Sequence, residues 1–112
     1  MNRSIRNQRL ARWPDGDGVI DEPLPLLERI TDYVAWHAAR RPAAEALVLG
    51  SRRIRYADLS REVDALARAL RASGVRAGDR VATLATPHPD FFIAFLATAS
   101  IGAIWVGFNF RY

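Results

Sequence analysis

The chain contains no cysteine, and all 16 of its basic residues other than histidine are arginine, so lysine is absent as well. The first absence excludes disulfide scaffolds, thiolate zinc sites and cysteine nucleophiles. The second excludes Schiff-base chemistry and a P-loop lysine. No apolar run approaches the roughly 18 residues of a membrane span; the longest, over residues 91–108, is cut by Thr98, Ser100 and Gly102. The N-terminus has no apolar core of the kind that marks a signal peptide. Together these absences lead to the expectation of a soluble, cytoplasmic protein without a transmembrane segment. Acidic residues are also missing from the start of the chain: Arg3, Arg6, Arg9 and Arg12 precede the first acid, Asp15, while the rest of the sequence is close to neutral and the net charge is only +4. At 112 residues and 50% hydrophobic content the chain can form one ordinary core or be a piece of something larger.

What is present is organised around residues 79–112, which read as strand, helix, strand with little that is polar. Residues 80–85 form a short apolar run between Gly78-Asp79 and Thr86-Pro87, and residues 104–108 form a second one after Gly102. Both have the punctuation of strands buried on two faces. Between them Phe92, Phe95, Leu96 and Ala99 recur at steps of three, one and three, placing them on the face of a helix that covers the sheet. Thr86 is the expected cap of this helix, with Pro87 at its first position, where a missing N–H costs nothing. The result is a parallel, right-handed βαβ crossover. Such a pair has open edges and needs cover on both faces, so Trp105, Phe108, Phe110 and Tyr112 are expected to be partly exposed and the chain to self-associate and bind hydrophobic dye.

The preceding residues supply partial cover. Residues 1–26 mix arginines, Pro14, Asp15-Gly16-Asp17-Gly18, Pro23 and Pro25 without a helical or strand period, and read as a flexible Arg-rich leader. A helix opens with Thr31 as N-cap, Asp32 favourable to the dipole and Ile30 as staple, and Pro42 stops it. His37, beside Trp36, reads as a packed side chain without chemistry. Residues 45–49 and 52–56 flank Gly50-Ser51 as a type II′ hairpin, and Arg52, Arg53 and Arg55 keep its second strand soluble. The stripe Leu59, Val63, Leu66 and Leu70 predicts a helix over 57–73, closed by Gly74 as a left-handed cap with Val75 folding back on Leu70.

Laid out in this order, the sequence resembles the opening of AMP-forming acyl-CoA synthetases of the adenylate-forming (AMP-binding) superfamily. The features that carry the resemblance are the helix ending at Arg41-Pro42, the hairpin ALVLGSRRIRYADL, the helix end GVRAGDRVA and the segment PHPDFFIAFLATASIGAIWVGFNFRY. They span residues 27–112. Two departures are local: Arg55 stands where the family often has a capping Thr or Ser, and Phe110 where Pro commonly follows Asn109. The resemblance implies an α/β fold, with residues 27–112 an incomplete N-terminal part of the AMP-binding domain. It also implies a parent ligase in which a carboxylate attacks ATP to give an acyl-adenylate and pyrophosphate, and the CoA thiol then displaces AMP. ATP, Mg2+ and CoA are therefore implied for that parent and a carboxylic or fatty acid as its substrate, with none bound by this piece. The family's phosphate loop, its Thr-Glu motif, its ribose-binding Asp, its hinge and its C-terminal Lys match nothing up to Tyr112, so no catalytic, cofactor-binding or metal-binding residue is assigned and the chain is expected to be inactive alone.

His88 lies near the C-terminal end of a parallel strand, the side on which doubly wound folds bind ligands, and Asn109 and Arg111 follow the second strand at the same edge. They are the positions of interest, although a polar residue in a first helical turn is the simpler reading of His88. Two other classes compete with the ligase reading: a small non-enzymatic module that pairs through its sheet edge, and a nucleic-acid binder using the arginine tail. No aromatic interleaving or folded basic face supports the latter, so no nucleic-acid partner is expected. A Gly, Ser and Thr-rich loop ending in Pro-Lys-Gly further along the reading frame would decide for the ligase.

Overall fold

The computed structural model describes residues 25–85 and 88–108, together with the backbone of 12–13 and 18–19. In chain order the elements are β1 (Arg12–Trp13), β2 (Gly18–Val19), α1 (Asp32–Arg40), β3 (Glu45–Leu49), β4 (Arg52–Arg55), α2 (Tyr56–Ala72), β5 (Arg80–Leu84), α3 (Pro89–Ser100) and β6 (Ile104–Phe108). They form three two-stranded sheets: an antiparallel β1–β2 ladder, the antiparallel β3–β4 hairpin and the parallel β5–β6 pair. The first of these lies in the segment read as lacking a strand period. Two residues per strand are too short to show one in the sequence.

The main core lies between the hairpin, α2 and α3. Ile54, Leu59, Val63, Ile93, Leu96 and Ala97 are its buried residues, with Val34, Leu47, Leu66 and Leu70 packed against them. The expected α2 stripe is therefore the face that points inward. Full burial of each large aliphatic side chain contributes about 1.5–3 kcal/mol, so these few residues dominate the cohesion of the unit. The hairpin turns as expected: Leu49 pairs with Arg52 across the two-residue loop, Gly50 has φ +59° and Ser51 does not adopt positive φ, the pattern of a type II′ turn. A bulge between Glu45 and Leu47 bends β3 before the chain enters α2.

Both ends of α2 are closed by the backbone. Arg55 occupies the N-cap position and its side chain makes no capping bond. In its place the amides of Tyr56 and Ala57 donate to the carbonyls of Ala44 (2.9 Å) and Pro42 (3.1 Å), which satisfies donors that a helix start otherwise leaves open. At the other end Val75 N–H donates to Leu70 O and Gly74 N–H to Arg71 O, both at 3.0 Å, the paired bonds of a Schellman motif. Gly74 sits at φ +100°.

The start of α1 differs from expectation. Thr31 is already helical (φ −71°, ψ −20°) and makes no side-chain cap bond. The amides of Asp32, Tyr33 and Val34 instead bond to carbonyls three residues back, a 3₁₀ turn, and the Asp32 carboxylate accepts from Arg29 N–H at 3.2 Å. Winding begins one turn early, so Thr31 is inside the helical path, and Ile30 is 60% exposed instead of stapling the turn. The Tyr33 hydroxyl accepts from Leu27 N–H at 3.1 Å and donates to Pro25 O at 3.2 Å, tying residues 25–27 to α1.

β5 and β6 run parallel with Arg80 opposite Ile104 and Leu84 opposite Phe108, as the crossover reading requires. Their burial is one-sided, contrary to the two-faced burial expected. Along β5, Val81 and Thr83 are covered while Arg80, Ala82 and Leu84 are exposed. On the uncovered face Leu84 is 68% and Phe108 50% exposed. Phe108 thus meets its expectation, and Trp105, on the covered face, is partly buried; Phe110 and Tyr112 lie outside the described residues.

The Schellman closure of α2 yields a direct test. Replacing Gly74 with Val forces a β-branched side chain into positive φ and should cost about 2 kcal/mol, read as a lower midpoint in equilibrium chemical denaturation. An unchanged midpoint would remove the assigned role of Gly74.

Candidate functional site

The edge singled out by the sequence is the C-terminal end of β5, where the chain enters α3. Thr86 and Pro87, the expected cap and first residue of α3, lie outside the described residues. The observed N-cap is His88, whose Nδ1 accepts from Asp90 N–H at 3.1 Å, with Pro89 in the first turn. The correction follows from chain geometry: two X-Pro pairs in succession offer two possible starts, and the helix takes the second. His88 is held by this bond, in which the Nδ1 lone pair accepts the amide and closes the helix start. That is a structural duty. Asn109 and Arg111, the other positions of interest, lie outside the described residues.

Around His88 the hairpin and α3 enclose a recess of about 180 Å³ lined by Leu47, Val48, Leu49, Pro89 and Phe92. It is smaller than the pockets of roughly 300–1,000 Å³ that take small-molecule ligands. The lining is apolar apart from one imidazole, and it contains no nucleophile or carboxylate. Among the described residues no group of three or more His, Cys, Asp or Glu is placed to hold a metal ion. Phe92 is 51% exposed here, whereas the sequence placed it on the covering face with Phe95, Leu96 and Ala99. The buried positions of α3 are Pro89, Ile93, Leu96, Ala97 and Thr98, so of the expected face Leu96 is buried, Phe95 and Ala99 are partly covered, and Phe92 lies at its exposed margin.

The opposite flank of α3 meets the sheet through aromatic rings. Trp105 lies edge-on to Phe91 (centroids 4.8 Å apart) and to Phe95 (5.2 Å), and its indole N–H donates to Thr83 Oγ1 at 3.2 Å. The indole reaches this position only because residue 107 lacks a side chain: a Cβ on Gly107 would stand 2.4 Å from Trp105 Cη2 and 2.8 Å from Phe91 Cζ. The role of Gly107 is not among the features expected from the sequence. A lone glycine inside a strand pattern is the signal that could have found this close approach.

His37 is a packed side chain, as expected. Its ring stacks on Tyr56 (4.9 Å, 29° between planes) and meets Trp36 edge-on, while Arg40 sits 5.0 Å over Trp36. Burial, and secondarily the Arg41 cation, hold its pKa below the ordinary imidazole value. Burial likewise raises the Tyr56 hydroxyl, with Arg41 opposing. Nδ1 of His37 is buried without a hydrogen-bond partner. Two of the three arginines of β4 are engaged: Arg53 makes two bonds to the Glu45 carboxylate at 2.9 and 3.0 Å, and Arg52 lies 3.8 Å from Asp90. They are surface pairs, in accord with a solubilising role.

A two-stranded parallel pair crossed by an aromatic-faced helix, with an antiparallel hairpin and a long amphipathic helix on that helix's other flank, is an α/β scaffold and not an assembled catalytic constellation among the described residues. Residues 34–112 match the model of the AMP-binding enzyme family, and the chain belongs to that family. It is 37% identical over 107 residues to a feruloyl-CoA synthase from Amycolatopsis sp, aligning 96% of this chain with 18% of that protein. With the fatty acid–[acyl-carrier-protein] ligase MmaC of Mycobacterium marinum it shares 41% identity over 88 residues, covering 77% of this chain and 16% of that one. The N-terminal subdomain of Klebsiella oxytoca NpsA superimposes with a TM-score of 0.72 at 31% identity, over 77% of this chain and 23% of that subdomain. The chain thus spans less than a fifth of the length of these curated relatives.

Two measurements test the site. His88→Ala should lower stability by about 1 kcal/mol while His88→Asn, a good N-cap, restores most of it; equal losses in both variants would deny the capping role. For His37, the unfolded chain takes up the proton first, so stability is full above about pH 6.5 and falls as pH drops below it. Denaturation midpoints followed against pH should show that acid-side loss in the native chain and a flatter profile in His37→Gln.

Proposed function

We propose that the chain is part of an acyl-CoA synthetase that converts a carboxylic or fatty acid, ATP and CoA into acyl-CoA, AMP and pyrophosphate. The observation that carries this is the family match over residues 34–112, joined to relatives whose names denote ligation of an acid to a thiol carrier, among them feruloyl-CoA synthase, indoleacetate–CoA ligase and the ligase MmaC. In this reading the carboxylate oxygen attacks the α-phosphorus of ATP as pyrophosphate leaves, and thiol attack on the acyl carbon then releases AMP. Mg2+ accompanies the nucleotide. The contribution of residues 27–112 is scaffolding: they belong to the AMP-binding domain, and further strands and helices of that domain cover the apolar face that carries Leu84 and Phe108. Residues 1–26 are a leader to it, and none of the 112 residues is a catalytic, cofactor-binding or metal-binding group.

The identity to MmaC favours a second reading of the last step only, in which the acceptor thiol is on a carrier protein. The protein works in the cytoplasm, without a nucleic-acid partner; no helix among the described residues is long and apolar enough to cross a membrane. Alone, the 112 residues are inactive, and the uncovered apolar face makes them self-associate.

The experiment compares the 112-residue chain with the longest product of its reading frame, supplying aromatic and fatty acids, ATP, Mg2+ and either CoA or a carrier protein. Acid-dependent pyrophosphate release by the longer product, and none by the 112 residues, is expected. Turnover by the 112 residues alone, or no acid-dependent release by a longer product, would overturn the proposal, and the thioester formed identifies the acceptor.

A further inference from the structure

The Nδ1 atom of His88 stands between two groups of the same residue. It lies 3.1 Å from the amide nitrogen of Asp90 and 3.5 Å from Asp90 Oδ2. The two neighbours make opposite demands. An N–H donor requires a bare lone pair on Nδ1, which puts the ring proton on Nε2, whereas a carboxylate oxygen requires a proton on Nδ1. In the neutral ring the first demand is met, and the Nδ1 lone pair and the carboxylate oxygen face each other with no proton between them. Once the ring takes up a proton, Nδ1 turns from acceptor to donor: the amide loses its acceptor and the carboxylate gains a partner.

The surroundings leave this exchange open. The side chains of His88 and Asp90 are 38% and 71% exposed, so solvent supplies the proton directly. From the hairpin, Arg52 lies 3.8 Å from Asp90 Oδ1, the oxygen other than the one nearest the ring. The remaining neighbours of His88, which are Leu47, Val48 and Leu49 of the hairpin and Pro89 and Phe92 of α3, carry no charge. The positive end of the α3 dipole disfavours a cation at this position, so among the described residues the Asp90 carboxylate is the group that accommodates the charged ring. His37 has no such alternative, because its Nδ1 is buried without any partner.

We infer that His88 is a proton-operated latch at the start of α3. With the ring neutral, His88 caps the helix through the Asp90 amide and leaves the Asp90 carboxylate to Arg52, which ties α3 to the hairpin. With the ring protonated, Nδ1–H donates to that carboxylate. The cap is then undone, the first turn of α3 loosens, and Arg52 shares its carboxylate with a second cation, which weakens the tie to β4. One proton moves from solvent to Nδ1, and no covalent bond between heavy atoms changes. Ser or Asn, which are preferred at N-cap positions, would close the helix equally well without responding to pH. The inference is independent of the ligase reading, since it rests on the hydrogen bonding of this helix start alone.

The test is an NMR titration of the 112-residue chain, labelled with 15N and 13C in histidine and aspartate, over roughly pH 5–8, where an imidazole changes charge. The chain has two histidines, so His37→Gln isolates the ring of interest. At the alkaline end the ring 15N shifts should place the proton on Nε2. On acidification the Asp90 amide proton should move upfield as its bond is lost, and the Asp90 carboxyl carbon should move with the same midpoint as the ring. In His88→Asn, a cap that does not titrate, neither signal should show that step. Circular dichroism checks that the variant is folded, and His88→Ser replaces it if it is not; magic-angle spinning reads the same shifts if the chain sediments. A neutral ring with its proton on Nδ1, an Asp90 amide that stays in place while the ring titrates, or the same step in His88→Asn would overturn the inference. So would an amide step with no movement of the carboxyl carbon, which is loss of a cap without the exchange.

Discussion

Helix α3 has no polar face, and the need to cover it on two flanks arranges the rest of the described structure. On one flank Ile93, Leu96 and Ala97 close against Leu59 and Val63 of α2 and Ile54 of the hairpin. On the other, Phe91 and Phe95 meet Trp105 of β6. A helix that is apolar all round is stable only inside a protein, so neither the hairpin with α2 nor the parallel pair could be removed without exposing it. Burial is complete enough that Thr98 is at 0% exposure with its hydroxyl unpartnered, a desolvation cost of about 1–3 kcal/mol that the surrounding apolar contacts must offset.

The same property of α3 explains what could and could not be read from the sequence. Where an element carries contrast, its placement was legible: the α2 stripe, the Gly50-Ser51 turn, the Gly74 closure and both parallel strands all rest on a polar or glycine signal beside an apolar one. Phe91, Phe92, Ile93, Ala94, Phe95, Leu96 and Ala97 offer no such contrast, so periodicity brought out Phe95, Leu96 and Ala99, which are covered, but had no means of showing that Phe92 beside them is left 51% exposed. Caps failed for a related reason. Thr31 and Thr86 were plausible acceptors, yet a 3₁₀ turn and a second X-Pro step moved both helix starts, and such shifts of a few residues leave no trace in residue type. The one-sided burial of β5 was invisible because an apolar run looks alike whether one face is covered or two. As for the candidate site, His88 was visible by position but its role is set by a single bond to Asp90 N–H.

The aromatic seam at Trp105, the Gly107 gap that admits it and the His88 cap fix how β5, α3 and β6 leave one another, and hence where an adjoining strand or loop would have to start. In enzymes generally such fixed directions matter, because misplacement of about 1 Å at a site can cost on the order of a hundredfold in rate.

The start of α2 carries a last consequence. Because the carbonyls of Pro42 and Ala44 take the amides that a side chain usually would, position 55 is released from any demand for Ser, Thr, Asp or Asn, and an arginine is tolerated there. The demand has moved to the spacing of the backbone between α1 and β3. Relatives of this chain should therefore be free to vary the residue type at this junction but not the number of residues in the connection before it, so that substitutions there are quiet and single-residue insertions or deletions are not.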